Sequence, residues 1–359
     1  LGAEHGMLIG MLPKLQRAYF VRAQQTELRS SPKRRTLLAR VMIASLVLTL
    51  GLPAVWMTEP VAPASAANAL TFRPGLIVSD ANFYNGNAMS AAEVQAVLTS
   101  KGSGCRTNCL KDYSTLSVAK PAQAGLCDGM PGGLRLSAAE VIDRVARSCG
   151  ISQKALIVML QKEQGLVTIN APSEYRYRAA MGQGCPDTAA CDVAYYGYFN
   201  QVYGAARQLK VYGLYPASFN YREGRWNTIL HHPSASCGTK QVYIENKATA
   251  ALYIYTPYVP NAAALTDLYG TGDYCSSFGN RNFWRLFTDW FGNPVSYEAH
   301  PGFVDYYNAR GGASGYIGKP TGYPVFVDAN GQGWYQRFAG GVIYGSFWGG
   351  TAFVANNAF

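Results

Sequence analysis

Apolar residues recur three and four positions apart along much of the chain, and residues 151–167, ISQKALIVMLQKEQGLV, show the pattern best. Leu156, Met159, Leu160 and Glu163 fall at i, i+3, i+4 and i+7, so three apolar side chains and one acid share a helical stripe. Ser152 is placed to cap that helix and Gly165 to end it. Upstream, Ser90 with Glu93 and Ser137 with Glu140 read as capping boxes. The first box opens a helix facing inward through Val94, Val97 and Leu98. The second opens one facing inward through Val141, Ile142 and Val145 and stopped by Cys149-Gly150. The second helix and the Glu163 helix, joined by a short turn, form an αα-hairpin. Residues 171–198 read as a loop. Phe199, Val202, Tyr203, Ala206 and Leu209 then mark another amphipathic helix, with Asn200, Gln201 and Arg207 off its stripe. Residues 218–246 read as a small β-insertion, followed by helices at ATAALYIY and NFWRLFTDWFG. After Asn293-Pro294 the period drops to two, with Gly340-Gly341 as a hairpin turn. The predicted fold is α+β, mainly α, with a small all-β segment at 294–359.

Composition narrows the class. Only 14% of the 359 residues are charged, while Tyr reaches 25 and Gly 38, a balance suited to an extracellular protein. Residues 1–66 hold eight Lys/Arg and three Asp/Glu, so the net charge of +10 falls to 23 against 18, or +5, beyond them. That mild excess suits an anionic wall surface and not a nucleic acid. Eight cysteines, Cys105, Cys109, Cys127, Cys149, Cys185, Cys191, Cys237 and Cys275, allow up to four disulfides; Cys185 and Cys191 are expected to bridge a small loop. His231-His232, adjacent on a strand, point to opposite faces, so no metal and no cofactor is expected.

The basic run SPKRRTLLAR precedes an uncharged segment at 41–58, and Ala64-Ser65-Ala66 supplies an A-x-A cleavage pattern. Residues 36–66 are therefore expected to be a secretory signal peptide, with an uncleaved anchor as the alternative that Pro53 disfavours. Residues 1–35 stay unassigned, 67–130 form an N-terminal helical and loop region, and 131–293 a catalytic domain. The expected location is secreted, at the cell wall, touching membrane only through the signal segment. Oligomeric state is left open.

Glu163 carries the candidate chemistry. An acid among apolar side chains can keep its proton, and breaking a glycosidic bond requires a proton on the leaving oxygen. The stretches EQGLV, RYRAAMGQGCPDTAACD, YYGYFNQVYGAARQL, ATAALYIYTPYVPNA and GNRNFWRLFTDWFG resemble secreted actinobacterial proteins with a lysozyme-like domain, some labelled hemagglutinin-like. The core is similar to soluble lytic transglycosylases and goose-type lysozymes, where a Glu ends a core helix and a Gly-Leu-Met-Gln loop follows. Here Met181, Gly182 and Gln183 lie 18 to 20 residues past Glu163. The resemblance implies a peptidoglycan glycosidase, a muramidase or lytic transglycosylase, with Glu163 as general acid. Met181, Gln183, Gln201, Tyr253, Tyr255 and Tyr258 are the implied substrate contacts, core packing being the other reading of each tyrosine. This chain has Glu163-Gln164 where those families have Glu-Ser, and Met-Gly-Gln for their loop. A second carboxylate would come from Glu174, Asp187 or Asp192, each equally readable as a turn residue. Ile317-Gly318-Lys319-Pro320 resembles the start of an LGFP repeat, which implies wall attachment. A lone repeat is expected to be truncated, mobile or docked on the central domain. The alternative function is a non-catalytic adhesin or glycan-binding protein on the same scaffold.

Overall fold

The computed structural model describes residues 66–185, 190–328, 332–346 and 349–357. Asp187 and nearly all of the expected signal peptide lie outside them. Among the described residues no helix is long and apolar enough to cross a membrane. The architecture is mixed α and β, and the named strand pairs are all antiparallel.

The helical part begins with α1 (Asp80–Phe83) and α2 (Ala91–Lys101), then a short hairpin of β1 (Ser114–Leu116) and β2 (Arg135–Ser137). It continues through α3 (Ala138–Cys149), α4 (Gln153–Gln164), α5 (Glu174–Arg178) and α6 (Tyr198–Leu214). A second hairpin, β3 (Arg225–Leu230) with β4 (Thr239–Ile244), is the β-insertion. Then come α7 (Lys247–Tyr255), α8 (Ala262–Thr266) and α9 (Gly279–Phe291).

Both capping boxes form. Glu93 accepts from Ser90 N at 2.7 Å and Glu140 from Ser137 N at 2.8 Å, and these bonds hold both carboxyls below the usual range. Gly150, left-handed at φ 65°, ends α3, and three residues later α4 begins. Ser152 does not cap α4 with its side chain, as its sequence position suggests. Its backbone N–H instead donates to Phe83 O at 2.8 Å, tying α4 to α1.

The single apolar stripe is also too narrow a description of α4. Every residue from Ala155 to Leu160 is fully buried, because α1, α3 and α9 pack around the helix. A helix apolar on all sides belongs in the middle of a core, and each large aliphatic side chain there contributes roughly 1.5–3 kcal/mol. Apart from Lys154 in the first turn, only the last turn, from Gln161, comes to the surface. The stretch 171–198 is less irregular than its composition suggests, since it contains α5 and a 3₁₀ turn at Val193–Tyr195.

Beyond residue 293, α10 (Val304–Asn308) precedes a sheet ordered β5 (Val325–Val327), β6 (Gly333–Phe338), β7 (Gly341–Ser346), β8 (Gly350–Ala355). Phe338 pairs with Gly341, so the tight turn is Ala339-Gly340, one residue earlier than expected. Gly341 lies inside β7, where a Cβ would sit 2.1 Å from Val354 O. Phe303, Tyr307, Ile317, Phe338 and Ile343 make a small core of their own. The segment is docked. Ser79 N donates to Pro294 O (3.1 Å), Ser296 N to Ser79 Oγ (3.0 Å) and Asn246 Nδ2 to Tyr323 OH (3.1 Å). All eight cysteines are paired, as Cys105–Cys109, Cys127–Cys149, Cys185–Cys191 and Cys237–Cys275. Four disulfides are stable in an oxidising compartment.

Candidate active site

Glu163 stands in the exposed last turn of α4, two residues before Gly165, whose φ of 63° ends the helix. Its side chain is 24% exposed, with Oε1 buried, so the carboxylate is set at the surface without pointing into bulk solvent. The surroundings differ from the apolar setting expected of a stripe. Lys162 Nζ lies 2.7 Å from Oε1, and the Lys162 side chain is only 6% exposed. Adjacent helical residues point in different directions, so periodicity gives no hint of this pair. Thr256 Oγ1 accepts from Lys162 Nζ at 2.9 Å, and the Tyr255 ring lies 4.9 Å from the ammonium. Two groups from the end of α7 therefore hold Lys162, and Lys162 holds Glu163.

The second wall is the loop after α5. Gly182 has φ 66°, and a Cβ there would lie 3.9 Å from Glu163 Oε2. The Met-Gly-Gln loop thus abuts the carboxylate. Met181 itself is fully buried and anchors the loop, while Gln183 is half-buried beside it. Tyr255 OH donates to Met181 O. Burial, helped by the nearby Glu163 carboxylate, pushes the Tyr255 phenol well above its ordinary range, so it stays a donor.

Gln201 organises the loop from beneath. It is fully buried on α6; Oε1 accepts from Met181 N (3.0 Å) and Gln183 N (3.1 Å), and Nε2 donates to Gln183 O and Tyr195 O (both 2.8 Å). With its amide engaged with backbone on both sides, Gln201 is a positioning residue and not the substrate contact that the resemblance implied. Tyr253 is also corrected: it is fully buried, its hydroxyl on Pro74 O at 3.0 Å, and it serves the core. Tyr258 is half-buried on a segment joined to Leu230 and Asn280. Glu174 is exposed and accepts from Asn108 Nδ2 at 3.2 Å; Asp192 is exposed and caps its own turn through Ala194 N at 2.9 Å. Among the described residues neither shares a hydrogen bond with Glu163.

Tyr195 is a residue the sequence did not flag. Its ring fills the space over Gly184 and Gly204, where a Cβ would come within 2.5 and 3.3 Å of it, yet it remains 37% exposed. Among the described residues the site therefore has one acid, one buried ammonium, one half-buried phenol, and a backbone loop clamped between α6 and α7. Among the described residues no cluster of three or more His, Cys, Asp or Glu could hold a metal ion. Comparison with family models, with curated proteins and with solved structures yields no match.

Proposed function

We propose that this chain is a secreted peptidoglycan-cleaving glycosidase with Glu163 as its acid. One observation carries the reading: a lone carboxylate ends a central buried helix and meets a loop, Met181–Gln183, that Gln201 and Tyr255 hold against it. A lysozyme-like fold accounts for that juxtaposition. Of the candidate second carboxylates among the described residues, Glu174 and Asp192 are engaged elsewhere, and the route we propose uses a single acid. Glu163 protonates the leaving glycosidic oxygen. The substrate's own 6-hydroxyl closes on the anomeric carbon and returns its proton to Glu163, as in a lytic transglycosylase. Lys162 keeps the carboxylate oriented throughout. The β segment serves as the wall-attaching part, and the disulfides and the basic–apolar N-terminal sequence support export.

The Lys162–Glu163 ion pair favours a second reading, since an acid already paired suits a non-catalytic, glycan-binding adhesin on the same scaffold. A zymogram against actinobacterial walls separates the two. Clearing by the wild-type chain, and none by a folded Glu163→Gln variant, supports the enzyme. Equal clearing by both removes Glu163 from the chemistry, and binding without clearing supports the adhesin.

A further inference from the structure

Close to the loop that meets Glu163, Arg178 ends α5 with an exposed side chain. Its guanidinium carbon lies 4.9 Å from the Tyr196 ring centroid and 5.3 Å from that of Tyr175, so two aromatic rings stand close to it. Rings at that range attract a cation and restrict its motion. Gly197 N donates to Arg178 O at 3.1 Å, which fixes the backbone to the start of α6. The guanidinium nevertheless has no hydrogen-bond or ion-pair partner among the described residues. The absence is informative because Glu174 stands four residues earlier on the same helix, where an acid normally pairs with such an arginine. Glu174 turns to Asn108 instead. Among the described residues, Arg178 is thus a cation set beside two rings whose planar set of donors is unspent.

Gly182 lies four positions after Arg178, so their Cα atoms are within about 15 Å. That is within reach of a substituent on a sugar beside the scissile one. We infer that Arg178, held beside Tyr175 and Tyr196, binds a carboxylate on the peptide arm of the glycan substrate and selects peptide-bearing chains over bare ones. A guanidinium meets a carboxylate through two parallel N–H bonds, whereas an ammonium offers a point charge. This rests on the proposed glycosidase reading for its substrate, but its test does not need turnover.

The experiment measures binding by Glu163→Gln protein to native peptidoglycan, to the same polymer with its carboxyls amidated, and to a hexuronate polymer without peptide. The expected result is about tenfold tighter binding to native than to amidated polymer. Arg178→Gln should abolish that preference, and Arg178→Lys should restore only part of it. In the active chain, Arg178→Gln should raise KM on native polymer about tenfold with kcat nearly unchanged. Equal binding to native and amidated polymer, or an undiminished preference in Arg178→Gln, overturns the inference. Arg178-dependent binding of the hexuronate overturns the peptide-arm assignment. If the wild-type chain cleaves nothing but the preference and its loss are observed, the glycosidase reading fails and the carboxylate site stands.

Discussion

Gln201→Ala tests whether the loop is built from beneath. The substitution strips four hydrogen bonds from one buried side chain. Each net bond is worth ~1 kcal/mol, and a buried group left without any partner costs ~1–3 kcal/mol. Gln183 is half-buried, so water can replace the bonds of its N–H and C=O. Met181 is fully buried, and its N–H has no such recourse. Adding the space left by the lost amide, the expected loss is ~2–4 kcal/mol. Urea titration should show a lower midpoint with an unchanged slope, since the unfolded surface is the same. Cleavage, where present, should fall with it because Gly182 loses its place beside Glu163. Gln201→Glu separates acceptor from donor roles. It keeps an acceptor for both N–H groups but turns the donations to Gln183 O and Tyr195 O into repulsions. It should be worse than Ala near neutral pH and partly recover on acidification, when a protonated carboxyl can donate again. A loss below ~0.5 kcal/mol in Gln201→Ala, with the loop's amide exchange unchanged, refutes the clamp.

Other outcomes follow from the same geometry. Lys162→Met should destabilise the fold by ~2–4 kcal/mol, because it removes one partner of the pair and leaves the buried Glu163 Oε1 without its counter-charge, while reducing cleavage; full activity would show that orienting Glu163 does not require the ammonium. Gly182→Ala should cost ~1 kcal/mol by forcing a side chain into left-handed backbone beside Glu163 Oε2, read as a shift in the thermal midpoint. Removing Cys127–Cys149, with its sequence separation of 22, should cost ~3 kcal/mol by freeing the unfolded chain, measured by denaturation of Cys127→Ala/Cys149→Ala protein. Burial raises the carboxyl pKa of both Asp80 and Glu223. A raised folded value means the native state holds more protons, so these groups lower stability as pH rises from the ordinary carboxylate range through their folded values. Glu223→Gln should flatten that fall, and an unchanged pH–stability slope would contradict it.

Local structure was largely legible because it depends on neighbours in sequence. The two capping boxes, the glycine stops at 150 and 165, and the helix bearing Glu163 all arise from backbone geometry and side chains within four residues. Glu163 was legible as the candidate acid, and the loop at 181–183 as its companion through resemblance. The surroundings of that acid were not. Lys162 adjoins Glu163 in sequence, yet its ammonium is held by Thr256 and Tyr255, residues 94 and 93 positions away, and periodicity carries no record of such a meeting. The roles of Gln201 and Tyr253 depended on which helix faces the packing closed over, so burial turned two apparent ligand contacts into a clamp and a core residue. Sequence by itself determined the two capping boxes, the glycine stops and the helix that carries Glu163, since these follow from short-range sterics and hydrogen bonding. Only the tertiary structure decided what stands around the acid, because those contacts come from long-range packing in which each partner's position depends on all the others.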